Sequence, residues 1–231
     1  MAEVKHARRN AGTDQEVIDR AKDFWTRYGR VIMITAGAVI LLGGGWLAYK
    51  YLVLAPKEEK AAEALWKAET YFMQDSVQKT LKGDGQFAGV EKIADQYDGT
   101  AAGNLADFYA GAMALKAGEF QKAVNHLKDF STDSKPVQAR AYKLLGDAYA
   151  SINKNADALS NYKKAAKEFE KDRMNSSEYL FFAAYFADRV MNDKQQATEL
   201  YKELVNEYSE TPRAVEAEKY LAYLGVYKTD K

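Results

Sequence analysis

Arg140 and Lys143 stand three residues apart in a chain with few other residues suited to chemistry. Arg offers a planar fork of donors and Lys a mobile ammonium, so the pair can bind a carboxylate. Asp147 follows one helical turn after Lys143. Further along, Tyr179, Phe182, Phe186 and Arg189 recur at helical spacing, and Leu105, Phe108, Ala112 and Lys116 form an earlier set. Rings bury apolar side chains while the cations bind acidic ones, so together these sets suit an extended polypeptide segment in a groove. Two plainer readings stand beside this one. Tyr179-Leu180-Phe181-Phe182 through Tyr185-Phe186 leaves almost no polar face and also fits a helix buried on all sides. Arg140 and Lys143 also fit a solvated face.

Catalytic chemistry has little to work with. The chain holds no cysteine and two histidines, His6 and His126, with no second histidine near either. Thiolate metal sites, disulfides and a cysteine nucleophile are therefore excluded. Both histidines read as surface residues. Gly43-Gly44-Gly45 lies in an apolar run and Gly83-Asp84-Gly85 reads as a turn, so no phosphate loop is present. The expectation is a protein that is not an enzyme and uses no cofactor, metal or small-molecule substrate. Lys and Arg number 33 against 33 Asp and Glu, with no dense basic run, which argues against nucleic acid.

Val31 to Tyr49 holds 19 residues without a charge, eight of them Val, Ile or Leu. As a helix this run reaches ~28 Å, close to the hydrocarbon thickness of a bilayer. Arg30 and Lys50 bracket it, and Trp25, Tyr28, Trp46, Tyr49 and Tyr51 stand at its ends as interfacial aromatics do. Thirty residues precede the run and Pro56 follows Val53-Leu54-Ala55, a poor fit to a cleaved signal peptide. The run reads as a single retained transmembrane helix. Within ten residues of it the N-terminal side carries three Lys/Arg and the C-terminal side two, a mild bias toward a cytoplasmic N-terminus. Gly37, Gly44 and Ala48 fall on roughly one face and would let a partner helix approach closely, although glycine is common in spans for its own sake.

The groove residues need helices to position them. Beyond Pro56 no alternating strand pattern appears, and short Gly, Asn and Asp clusters predict nine helices. Tyr142-x2-Leu145-Gly146-x2-Tyr149, followed by Ala158-x3-Tyr162, matches the tetratricopeptide pattern closely, with Tyr in place of Trp and Phe. An earlier copy runs through Gly111 and Ala123-x3-Leu127, with Asp107 in place of the large aromatic. A later one runs through Ala197-x3-Tyr201, with Tyr185 where the helix glycine belongs and an insertion near residues 170–177. The predicted fold is all-α: a cytoplasmic tail over 1–30 with an amphipathic helix, a span over 31–49, and a tetratricopeptide-like solenoid of helical hairpins over 57–231. The solenoid divides into a half-repeat at 57–98 with its helix through Phe87, Val90, Ile93, Ala94 and Tyr97. Repeats follow near 101–131, 135–170 and 176–208, then a capping helix at 211–225.

Taken together, Val17-Ile18-Asp19-Arg20-Ala21-Lys22-Asp23-Phe24-Trp25, Tyr28-Gly29-Arg30, Gly43-Gly44-Gly45-Trp46 and Val90 through Tyr97 resemble the YfgM-type ancillary subunits of the SecYEG translocon. The resemblance covers most of the chain. It implies a bacterial inner-membrane protein with a cytoplasmic N-terminus and a periplasmic domain. It further implies translocon subunits and a membrane-anchored periplasmic chaperone of the prolyl-isomerase type as partners, and a scaffold role with no catalytic residues. Thr211-Pro212-Arg213-Ala214 and the third repeat depart toward other envelope tetratricopeptide proteins, which keeps a structural subunit of another envelope complex as the alternative.

Overall fold

The computed structural model describes the backbone of residues 3–227 and side chains from residue 16 onward, so His6 lies outside the described side chains. Among the described residues all regular structure is helical, apart from an isolated bridge between Gly83 and Ala88. The chain divides into two compact units, 1–56 and 57–231.

In the first unit α1 runs Glu3–Tyr49 and a π-helical turn follows over Lys50–Leu54. That turn precedes Pro56, whose ring clashes with the preceding turn of a regular helix. Widening relieves the clash: the Ala55 N–H reaches back five residues to the Lys50 carbonyl. One helix here is long and apolar enough to cross a membrane, by length and composition, and none of its most apolar window is buried. A Cβ added at Gly37 or Gly44 would meet nothing within 4 Å, and Ala48 is exposed.

The second unit stacks α2 (Ala55–Met73), α3 (Val77–Lys82), α4 (Val90–Gln96), α5 (Ala101–Lys116), α6 (Phe120–Asp129), α7 (Lys135–Ser151), α8 (Asn155–Glu168), α9 (Arg173–Arg189), α10 (Lys194–Glu207) and α11 (Pro212–Tyr223). Among the described residues these are ten helices rather than nine, because Asp75 takes a left-handed conformation, φ 56°, and separates α2 from α3. Local chemistry starts the others. Thr100, Asp172, Asp193 and Thr211 each accept a backbone N–H three residues on, and Pro136 and Pro212 occupy first turns.

Three expectations need correction. Phe87 is not helical: α4 begins at Val90, and Phe87 lies in the loop that the Gly83–Ala88 bridge closes. The preceding α2 runs alongside α5 in the same direction. Glu58 accepts from the Ala101 and Ala102 N–H groups at 2.6 and 2.9 Å, and further along both helices Tyr109 donates to Glu69 at 3.0 Å. Residues 57–98 thus form a hairpin with a broken second half, not a lone helix. Second, the insertion expected at 170–177 is chiefly an extra helical turn, since α8 has 14 residues against 10 in α6.

Third, Tyr185 does not take the glycine position. Lys154 N–H bonds to Tyr149 O after α7, but Asp193 N–H reaches one residue further back, to Ala187 O, after α9. The extra residue rotates α9, and Ala184, fully buried, takes the place while Tyr185 is 40% exposed.

Two hydrophobic clusters result. One spans α2 to α7 and the other α8 to α11, and Tyr149 packs against both. First helices of successive hairpins approach each other, α5 with α7 and α9 with α11, which puts them on the inner side of the stack.

Candidate partner-binding face

The inner side of α5 is closed. Phe108 is only 8% exposed, its ring 5.1 Å from Phe130 and 5.9 Å from Tyr109. Leu105 is half-buried against the same cluster, and Phe72 of α2 packs on Tyr109 at 4.6 Å. Phe108 is therefore a core residue, not a groove residue, because Phe130, just past α6, and the neighbouring Tyr109 pack on its ring. Lys116 is exposed but pairs with Asp75. Ala112 is half-buried between them.

The inner sides of α7 and α9 come together around Tyr162. Its hydroxyl donates to Asp147 at 3.0 Å, and Lys143 Nζ binds the other Asp147 oxygen at 2.7 Å. Burial, then the Asp147 charge, pushes the Tyr162 hydroxyl well above its ordinary pKa, so it stays a donor. The Lys143 ammonium also sits 4.9 Å over the Phe182 ring. Phe186 packs edge-on to Tyr162 at 5.3 Å and is 6% exposed, so it too is core rather than groove, turned inward by the rotation of α9. Lys143 and Asp147 are consequently a neutralised pair. Arg140 is exposed and, among the described residues, has no ion pair. It faces half-buried Tyr179, whose hydroxyl burial pushes up while the Arg140 charge pulls it back.

Phe182 and Arg189 lie on this face as their spacing predicts, and Tyr185 and residues of α11 join it that the spacing argument missed. Phe182 and Tyr185 are 39% and 40% exposed. Arg213 of α11 grips Glu178 through two nitrogens at 2.5 and 2.6 Å and lies 4.5 Å over Phe181. Arg189 lies 5.8 and 5.3 Å over Tyr220 and Tyr223, with its Nε 2.9 Å from Asp188, near enough for an ion pair without hydrogen-bond alignment. Treating α11 as one more first helix, rather than as a cap, would have exposed Arg213, Tyr220 and Tyr223. The inner face of α7, α9 and α11 thus shows open rings (Phe182, Tyr185, Tyr223) flanked by two guanidiniums, Arg140 and Arg189.

His126 is not a surface residue. Its Nδ1 lies 2.9 Å from Asp107 Oδ1, both side chains are 17% exposed, and the carboxylate raises the imidazole pKa against the effect of burial. Asp107, which replaces the repeat's large aromatic, reaches from α5 to α6 to make this contact. Among the described residues no three acidic or histidine side chains are placed to hold a metal.

Helical hairpins stacked with their first helices inward define a tetratricopeptide-like solenoid. The chain belongs to the tetratricopeptide repeat-like domain family, whose model matches residues 22–141 and so covers the apolar run as well as the first hairpins. Folds of this kind are typically scaffolds for protein–protein contacts rather than enzymes. No curated protein and no solved structure matches the chain.

Proposed function

We propose that the protein is a membrane-tethered scaffold, with residues 31–49 as a single span, the N-terminus cytoplasmic and the repeats periplasmic. The observation that carries this reading is the pairing of an uncovered apolar run with an inner face of open rings and unpaired Arg140. An extended segment of a partner protein lays apolar side chains on Phe182, Tyr185 and Tyr223 while its carboxylates meet Arg140 and Arg189. The resemblance in the tail and span supports an ancillary role at the Sec translocon, with translocon subunits and a membrane-anchored prolyl-isomerase-type chaperone as partners.

Co-purification of the full chain in mild detergent tests the reading. Translocon subunits or such a chaperone should be recovered, and Arg140→Glu with Phe182→Ser should lose them. A different stoichiometric envelope complex on the column would assign the protein to that assembly instead. Protease added to spheroplasts should digest the repeats and spare the tail. Protection of the repeats would place them in the cytoplasm. The face of Gly37, Gly44 and Ala48 is proposed to pack on a partner's helix, and Gly44→Leu should then lower recovery without affecting insertion.

A further inference from the structure

The outer side of the stack carries a second feature, independent of the inner face. Between residues 135 and 167 the chain has seven Lys/Arg and two Asp/Glu, whereas residues 90–134 have four and seven, and residues 168–227 seven and twelve. The hairpin of α7 and α8 is thus a positive block between two negative ones. Three of its seven cations line one hollow of about 640 Å³ along α8. Lys163, Lys164 and Lys167 line it, with Tyr142, Leu159 and Met191 as its apolar surface, and its one carboxylate, Glu168, is 3.6 Å from the Lys135 ammonium. Lys167 is 3.5 Å from Glu203, and Lys164 lies 5.7 Å over the Tyr142 ring. Neither Lys163 nor Lys164 has a carboxylate partner among the described residues.

We propose that this hollow docks a short acidic segment of a partner protein, its carboxylates on Lys163 and Lys164 and an apolar side chain against Tyr142, Leu159 and Met191. Three features select that occupant. A planar lipid leaflet cannot enter a hollow. A nucleic acid carries phosphate beyond any short site and would run onto the negative blocks on either side. A second copy offers as its acidic counterpart the hollow of Asp95, Asp98, Asp107 and Asp129, and two concave surfaces do not fit one another. Charge complementarity and shape therefore both favour a protruding acidic chain.

The test is fluorescence anisotropy with a labelled peptide of alternating glutamate and leucine, titrated with the full chain in detergent micelles at low and high salt. Binding should weaken with salt, and Lys163→Glu with Lys164→Glu should weaken it about tenfold, as expected for reversing one half-buried and one exposed charge. Lys163→Arg with Lys164→Arg should keep it, and so should Arg140→Glu on the inner face, which separates this site from the proposed groove. Far-ultraviolet circular dichroism confirms that each variant is folded. Equal binding by the double reversal, or no binding by the wild type, overturns the proposal. Charge-dependent binding to phosphatidylglycerol vesicles without peptide binding overturns it in favour of a lipid surface.

Discussion

In the hairpin of α7 and α8 the two helices meet at Gly146, where a Cβ would lie 2.5 Å from Cε1 of Tyr162. In the hairpin of α9 and α10 the corresponding residue is Ala184, fully buried in the same hydrophobic cluster as Tyr201. The tyrosines correspond, yet their hydroxyls do not. Tyr162 donates to Asp147, while the Tyr201 hydroxyl is buried without a hydrogen-bond partner among the described residues. The single extra residue near the end of α9 explains both differences. It brings Tyr185 to the position of Asp147, so the acceptor is lost and a ring faces inward instead. Tyr201 is sealed by rings: Tyr220 stacks on it at 5.2 Å and Phe181 lies 5.8 Å away. One hairpin is closed by a close backbone approach and a hydrogen bond, the other by aromatic packing that also furnishes the open face. An interaction surface can thus arise from a one-residue shift in an otherwise repeated frame.

The largest expected effect lies at the close approach. Gly146→Leu forces Tyr162 and the α8 backbone apart, since Ala158 O is also only 3.2 Å from the added Cβ. Overpacking of this kind costs about 1–3 kcal/mol, or roughly 2–12 °C in melting temperature for a domain of this size. Ala184→Gly removes one buried methyl and lowers helix propensity, for about 1 kcal/mol. Thermal unfolding of the two full-length variants in detergent compares them directly. Equal losses would mean that α7 and α8 do not meet at Gly146.

What could be read from residue types alone follows the same division. Tyr142-x2-Leu145-Gly146-x2-Tyr149 encodes a contact within one hairpin, and local spacing suffices to find it. The insertion was visible only as a 39-residue gap between Ala158 and Ala197, which does not say where the extra residues go. Most became a turn of α8 and one rotated α9, so Phe186 and Tyr185 exchanged the surface and core roles their spacing suggested. Phe108 differs for another reason: Phe130, beyond the end of α6, packs on its ring, and no local pattern within α5 reports that contact. The break at Asp75 escaped because Asp takes a left-handed conformation without the glycine that usually signals it. Arg140 was legible since an unpaired guanidinium rarely lies inside a core.

Next in size is the acceptor itself. Asp147→Ala leaves the Tyr162 hydroxyl buried and unpaired and frees Lys143, at a cost of about 1–3 kcal/mol. At the corresponding place Tyr185→Ala removes a ring that is 40% exposed and should lower stability less. Its effect should fall on co-purification of the partner, where Asp147→Ala has little direct contact to lose. A partner recovered in full by Tyr185→Ala would remove that ring from the binding face.

Smaller again is the pair of hydroxyl deletions. Tyr162→Phe gives up a formed hydrogen bond and should cost about 0.5–1.5 kcal/mol. Tyr201→Phe gives up none and removes an unpartnered buried polar atom, so its melting temperature should hold or rise slightly. A drop in Tyr201→Phe as large as in Tyr162→Phe would show that the Tyr201 hydroxyl has a partner, and the contrast between the hairpins would shrink to their glycine position.

The smallest effect is a pH dependence that belongs to the hairpin of α5 and α6. Its cross-helix contact joins Asp107 to His126, where the next hairpin uses Asp147 and Tyr162, and only the imidazole titrates near neutrality. Donating Nδ1–H to Asp107 raises the His126 pKa above 6.5, burial opposes it, and the charges of Asp107, Glu91 and Asp95 add to the rise. Lys122 and Asp129 line the same hollow. A raised folded-state pKa means that the folded chain holds the proton more tightly than the unfolded one. The resulting stabilisation is complete below the unfolded pKa of about 6.5 and is lost as pH rises through the higher folded value. Melting temperature measured across that interval should therefore fall with rising pH. Asp107→Asn keeps the shape and removes the charge, so it should flatten this slope while leaving the behaviour of Tyr162→Phe unchanged. A slope that persists in Asp107→Asn would assign the titration to another group and leave the α5–α6 contact insensitive to pH.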